Sequence, residues 1–356
     1  LARANWAPVR EEERKKALLQ IERHPLSTDA GRLAALSARL GEDRVEPELI
    51  KKLMQRHQRR PELLGPWLAG RNLHDKALSL FSMELLRTRP ELFGPWFSIL
   101  LHPAPARRME RLQVAGQLVV DAKGLIAEAR RDLYGAALLR VHGKQEESRL
   151  MFEQALVEEG ALPMDERNGF LDALAREALA AGELDFALKA LRKRFAEGIS
   201  EEDPYPACER YFFAAILNKE TEEALAIAEQ IEKRFPAEIA AQNNLAYLNL
   251  LLERNVEETA KGVEELAGNG PPFAGLITTL ALARLRIGKA KEAMDAITPG
   301  GTQIIFHTDA DKAVCVAVLR ANGKSKLAGE MEKSIMQQRL LLEEAALLNL
   351  AVDGQP

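Results

Sequence analysis

Two cysteines, Cys208 and Cys315, are all the thiol chemistry in 356 residues. A disulfide framework and a cysteine-ligated metal site are therefore both excluded. Aromatic residues make up only 5% of the chain, which argues against a β-sandwich, whose strands need β-branched and aromatic side chains. No apolar run approaches the ~18 residues that a membrane-spanning helix requires, and no signal peptide is visible. The six histidines (His24, His57, His74, His102, His142, His307) are scattered, with neither an HExxH spacing nor a Cys/His cluster, so no metal is expected. No GxSxG element occurs. Gly323-Lys324-Ser325 resembles the end of a phosphate loop, but Val318 stands where its first glycine belongs and a helix pattern precedes it, so it reads as a turn. Gly268-Asn269-Gly270 lacks the rest of a dinucleotide fingerprint and reads as a loop. The pairs Glu222-Glu223 and Glu264-Glu265 fall on helix surfaces and read as solvated. No catalytic constellation and no cofactor site assemble from this inventory.

What the chain does have is alanine, leucine and charge. Apolar residues reach 47% and charged residues 29%, the balance of a folded chain rather than a disordered one. The net charge of −4 is unevenly spread: residues 1–120 carry +7, residues 121–240 carry −9 and the remainder −2. The basic stretch favours an acidic partner or is a solvated helix face; nucleic acid is not expected. The chain opens on Leu1 rather than Met, so a segment upstream of it is expected. A cytoplasmic setting is expected, with a membrane anchor upstream of Leu1 as the alternative and Trp6 suited to a position just outside a membrane.

The strongest pattern is a period. Gly143, Gly182, Gly288 and Gly323 each stand between two helix patterns, and Lys219 and Glu253 hold the equivalent place in two intervening segments. The steps from Gly143 are 39, 37, 34, 35 and 35 residues. Helix, turn, helix at a fixed step near 35 marks a solenoid of stacked hairpins. Cys208 and Cys315 then lie about three repeats apart on inward faces. Helix layers are spaced ~8–10 Å and a disulfide needs Cα atoms within roughly 7 Å, so two free, buried thiols are expected.

The helices expected in this half are 106–120, 124–141, 145–159, 165–181, 183–196, 206–217, 220–234, 237–252, 255–267, 273–287, 289–297, 309–321 and 324–350. The last is long, and its far half reads as a cap over the final apolar face. Thr298–Thr308 is a loop, or holds a short extended piece at Gln303–Phe306. Nearer the N-terminus, helices are expected over 8–24, from the Ser27-Thr28-Asp29 caps through Leu40, and from Pro47 to about Arg59. There the octet Arg60-Pro61-Glu62-Leu63-Leu64-Gly65-Pro66-Trp67 recurs as Arg89-Pro90-Glu91-Leu92-Phe93-Gly94-Pro95-Trp96, with a helix His74–Arg87 between the copies. The echo either sets one helix geometry twice or places Trp67 and Trp96 along a peptide groove.

Several units share more than a turn. Phe152, Ala155 and Leu156; Leu174, Ala175 and Ala187; Ala224 and Pro236; Asn244-Leu245-Ala246; Leu280, Ala281 and Ala293; and Cys315 and Ala328 recur in register with the turn residues. In this the chain resembles the tetratricopeptide repeat over about residues 125–335, and more loosely over 45–102. The characteristic early tryptophan is missing, with Asp132, Leu171, Cys208, Gln242, Ile277 and Lys312 in its place, and the unit around Glu253 slips by about one residue. The resemblance implies an all-α, right-handed superhelix of antiparallel hairpins, with N-terminal hairpins over 1–120 and the repeat array over 121–356 as one continuous solenoid. It implies that the first helix of each unit lines the partner-binding side. By that analogy the candidates are Arg130, Arg140, Arg176, Phe213, Asn243, Tyr247, Arg286 and Arg320, whose arginine forks suit the carboxylates of an acidic or C-terminal peptide. The function implied is a bacterial, non-catalytic protein- or peptide-binding scaffold, part of a larger or membrane-anchored protein. The alternative is the sensor or effector half of a regulator whose activity lies in an N-terminal part outside this sequence.

Overall fold

The computed structural model describes residues 11–41, 45–103, 107–269, 273–298, 306 and 308–349. Among the described residues there are helices, turns and no strand. Trp6 and the candidate extended piece at 303–305 lie outside them. The chain divides into two compact units, Leu1–Ala181 and Gly182–Pro356.

In the first unit the helices are α1 (Glu11–Arg23), α2 (Asp29–Leu40), α3 (Pro47–His57), α4 (Pro61–Gly70), α5 (His74–Leu78), α6 (Met83–Thr88), α7 (Phe93–Leu101), α8 (Arg108–Asp121), α9 (Glu128–Val141), α10 (Gln145–Glu158) and α11 (Met164–Ala181). In the second they are α12 (Leu184–Arg194), α13 (Tyr205–Leu217), α14 (Thr221–Arg234), α15 (Ile239–Leu251), α16 (Val256–Asn269), α17 (Ala274–Arg286), α18 (Ala290–Ile297), α19 (Asp309–Ala321), α20 (Ser325–Glu332) and α21 (Leu342–Leu347). Consecutive helices pack as hairpins: α9 with α10, α13 with α14, α15 with α16, α17 with α18, α19 with α20. In the second unit the first helices also pack on one another, α15 on α17 and α17 on α19, so they form one layer. This is an all-α stack of antiparallel hairpins.

The hairpin turns share one chemistry. Gly143, Gly182, Gly288 and Gly323 have φ between 69° and 81°, and Lys219 and Glu253 take φ of 62° and 55°. The residue after the turn donates its N–H five residues back: Lys144 to Leu139, Glu220 to Ala215, Lys289 to Arg284, Lys324 to Leu319. That closes the helix end in the left-handed C-terminal motif, which glycine enters without a Cβ penalty. The same bond runs from Leu73 to Leu68 around Asn72, with φ 59°, so the motif reaches into the N-terminal hairpins. In the Glu253 unit a second left-handed residue, Asn255, delays the next helix, which starts at Val256. This is the origin of the slip in its register.

Small residues set the distance between the two helices of a hairpin. Ala224, Ala293 and Ala328 are fully buried, as is Ala281. In the α9–α10 hairpin Ser148 takes the alanine's place and its Oγ–H donates to the Ala136 carbonyl at 2.8 Å. Replacing Ala293 with leucine is expected to overpack the α17–α18 hairpin and cost about 1–3 kcal/mol. A thermal melt of that variant that superimposes on the parent's would refute the register drawn here.

The octet echo has a steric basis. A Cβ on Gly65 would stand 2.8 Å from the Phe81 ring, and one on Gly94 would stand 2.5 Å from the Tyr134 hydroxyl. Both copies thus bring a neighbouring aromatic against helix backbone. The tryptophans part company: Trp96 is buried and stacks on Phe81 at 5.9 Å, whereas half-buried Trp67 donates its Nε1–H to Ser37 Oγ at 2.7 Å. Around them Leu64, Leu68, Phe93, Phe97, Ile99 and Leu100 form the main core of the first unit.

Two expected helices are broken. His74–Arg87 splits into α5 and α6 because Ser82 caps a new helix, accepting the Leu85 N–H at 3.1 Å, while Phe81 turns into the core between them. The long C-terminal helix 324–350 ends at Glu332; a 3-10 turn at Gln337–Arg339 follows, and then the short α21. Its apolar residues Ile335, Leu340 and Leu348 pack on Ala313, Val316, Leu319 and Ala328, which a straight helix continuing beyond α20 could not reach. The segment covers the last hairpin, by folding back over it. Cys208 and Cys315 are buried and not joined in a disulfide, and burial pushes the Cys315 thiol well above its ordinary range.

Candidate partner-binding face

The first-helix layer is where the resemblance places a partner, and the candidate residues sort there by what they already touch. Arg140 and Arg130 lie on α9 and reach one repeat forward. Arg130 pairs with Glu166 at 2.8 Å and Arg140 with Glu177 at 3.4 Å. Arg286, on α17, reaches one repeat back: it pairs with Glu253 at 2.6 Å and donates to the Leu250 carbonyl at 3.1 Å. Arg320, on α19, pairs with Glu332 across its own hairpin at 2.7 Å. Arg254–Glu222 and Arg192–Glu223 follow the same rule, with partners 32 and 31 residues apart. The sequence period therefore reappears as ion pairs between successive repeats. Part-exposed pairs of this kind are worth little singly, but they fix which repeat faces which.

Two of the eight retain large free surface. Arg176 is 60% exposed, with Glu177 at 3.9 Å. Phe213 is 46% exposed, and Leu217 one turn later is 51% exposed. Together Phe213 and Leu217 make an apolar stripe on the outer side of α13, behind which Cys208 and Phe212 are buried. A narrow crevice lined by Tyr205, Glu209, Phe212, Ala228, Ile231, Ala241 and Asn244 lies nearby. It has no interior room even for a water molecule, so it is no small-molecule site. Among the described residues no group of three or more His, Cys, Asp or Glu side chains is placed to hold a metal ion.

Asn243 and Tyr247, on α15, stand one turn apart, and the layer has an unexpected neighbour there. Asn243 is buried, and its Oδ1 has no hydrogen-bond partner. The Tyr247 hydroxyl donates to Glu344 Oε1 of α21 at 2.9 Å, across 97 residues of sequence. Glu344 Oε2 in turn accepts the Leu341 N–H at 2.9 Å. The adjacent Glu343 accepts from the Thr221 hydroxyl at the start of α14, at 2.8 Å. Glu344 is only 4% exposed. Burial pushes its carboxyl above the usual carboxylate range, Asp311 and Glu343 add to that, and the bonds from Leu341 and Tyr247 oppose it. Burial, followed by the Glu344 charge, likewise pushes the Tyr247 hydroxyl well up. The sequence reading picked Tyr247 and missed its partner. Glu343-Glu344 lies within the expected C-terminal helix, flanked by Leu340-Leu341-Leu342 and Leu347-Leu348.

Comparison with solved structures finds helical-repeat proteins. A tetratricopeptide repeat protein from Parabacteroides merdae is similar over 85% of this chain and 98% of its own, at 16% identity and a TM-score of 0.43. The APC/C hetero-tetramer Cut9-Hcn1 is similar over 96% of this chain and 66% of its own, at 12% identity and a TM-score of 0.44. No family model matches the sequence, and no curated protein matches it. The class defined by the hairpins is an α-helical repeat protein. Within that class its turns, its small interhelix residues and its near-35-residue step make the repeats tetratricopeptide-like.

Proposed function

We propose that this chain is a non-catalytic scaffold that binds a protein or peptide on the first helices of its repeats. The observation that carries the reading is the Phe213–Leu217 stripe on α13, where two large apolar side chains in register stay about half exposed beside a fully buried helix face. Exposed aromatic and aliphatic side chains presented by a rigid helix are what a partner's apolar anchors need. Arg176 supplies an open guanidinium for a carboxylate, which suits an acidic partner. The alanine-, leucine- and arginine-rich composition supports a bacterial origin.

Affinity capture from source-cell lysate, with the parent chain and a Phe213→Ala/Leu217→Ala variant as parallel baits, tests the reading. A partner held by the parent and lost at least tenfold by the variant is the expected result. Identical capture by both baits would remove α13 as the binding face.

A further inference from the structure

We propose that the C-terminal segment 340–348 is a built-in occupant of the first-helix layer, and that the layer's external ligand is a short helix of the same kind, leucine-rich with an adjacent glutamate pair. The proposal rests on the scaffold reading and names the chemistry of the partner. Three observations support it. First, the segment is peptide-like: after α20 the chain leaves the hairpin pattern, passes through a 3-10 turn and forms a helix of only six residues. Second, it binds as a peptide ligand does. Leu340 and Leu348 sit in an apolar patch made by Ala313, Val316 and Leu319 of α19 with Ala328 of α20. Its two carboxylates reach past that patch to Tyr247 of α15 and Thr221 of α14. Apolar anchors at either end of a short helix, with polar groups fixing register between them, are a variant of the helix-in-groove mode of recognition.

Third, the polar half of the contact is held loosely for something so buried. Glu344 meets a phenol and a backbone N–H, and the charged groups around it are Asp311 and Glu343, both acids. A buried carboxylate answered by neutral donors and neighbouring negative charge is a poor permanent anchor. The layer also keeps an unanswered acceptor one turn from Tyr247, the Oδ1 of Asn243. A partner helix that brought the same leucines and glutamates together with a donor for Asn243 would bind where the segment binds, and better.

The probe is a fluorescein-labelled synthetic peptide with the sequence of residues 337–349, titrated into the full chain and into a Leu341→Asp/Glu344→Lys variant. The variant is expected to bind the peptide at least tenfold more tightly than the parent, and a scrambled peptide to bind neither. In the parent, excess peptide is expected to speed amide exchange in 341–348 while α15, α17 and α19 stay protected. A variant with parental helicity and a cooperative melt that binds no more tightly than the parent would overturn the proposal. Should the variant not fold, exchange in the parent decides: amides of 341–348 that open only together with α19 mark a permanent cap and overturn it. A parental dimer that the two substitutions abolish would assign the layer to a second copy of the chain, which also overturns it. If the peptide fails but the lysate partner is still lost on Phe213→Ala/Leu217→Ala, the scaffold reading stands and the occupant is wrong.

Discussion

Asp203→Ala is expected to destabilise the second unit by about 3–5 kcal/mol, because it breaks a buried ion pair from one side. Asp203 and Arg194 form an ion pair whose side chains are 4% and 9% exposed. The carboxylate also accepts the Ser200 N–H at 2.7 Å and the Ser200 hydroxyl at 2.9 Å. One side chain thus ties the end of α12 to the connection that leads into α13. The guanidinium lies 4.7 Å from the Phe195 ring, which stacks on Tyr211 at 5.1 Å. Deleting the acid leaves that charge in place and undoes the turn at once. Denaturant unfolding followed by amide exchange in α13 measures the loss; a change below about 1 kcal/mol would place the pair in solvent, where such contacts are weak.

The same residue fixes a pH dependence. Burial pushes the Asp203 carboxyl upward, but the Ser200 N–H, Arg194 and the Ser200 hydroxyl outweigh it and hold the group below its ordinary value. A carboxyl depressed in the folded state binds fewer protons there than in the unfolded chain. Its contribution is therefore full above the unfolded pKa, about 3.9, and is lost as pH falls through the folded value. The gap between parent and Asp203→Asn should be wide at pH 7 and narrow as pH falls below the unfolded value of about 3.9. Glu344 has the opposite sign. Its raised folded value means that docking of α21 weakens as pH rises through that value from the acid side.

The repeat array was legible because its signal is periodic and local. A left-handed helix end demands glycine or a tolerant substitute, and six such residues at a near-constant step survive the loss of nearly every other repeat signature. Asn72 belongs to the same set by its φ and its hydrogen bonds. It was missed because asparagine, unlike glycine, has other uses, and because no glycine at the near-35-residue step links it to Gly143. The site was less legible, since exposure and pairing depend on where the neighbouring repeat stands. Arg286 and Phe213 occupy similar sequence settings, yet Arg286 is spent on Glu253 and the Leu250 carbonyl while Phe213 faces outward. The fold-back of 340–348 left even less trace. A helix pattern continuing from Ser325 to Leu350 gives no sign that Ile335 and Leu340 will seek the hairpin behind them, because a 3.6-residue period describes the stripe and not the surface it meets.

Phe97→Ala is expected to cost the first unit about 3–5 kcal/mol, the range for a large aromatic removed from a core that cannot collapse onto the gap. Phe97 is 2% exposed. It stacks on Phe93 at 5.8 Å and tilts against Tyr134 at 4.9 Å, and Phe93 meets Tyr134 at 4.7 Å. The triad joins α7 to α9. It cannot close up by sliding α9 toward α7, because the Tyr134 hydroxyl already lies where a Cβ on Gly94 would be. The cavity should therefore persist, and amide exchange should rise in α7 and α9 together. Phe97→Leu fills most of the space and is expected to lose about 1–1.5 kcal/mol, mainly ring contacts. Phe213→Ala, on a half-exposed side chain, should change stability by about 0.5 kcal/mol or less. If Phe97→Ala proved as mild as Phe213→Ala, the aromatic triad would not be what joins α7 to α9, and the echoed glycine at Gly94 would lose its steric explanation.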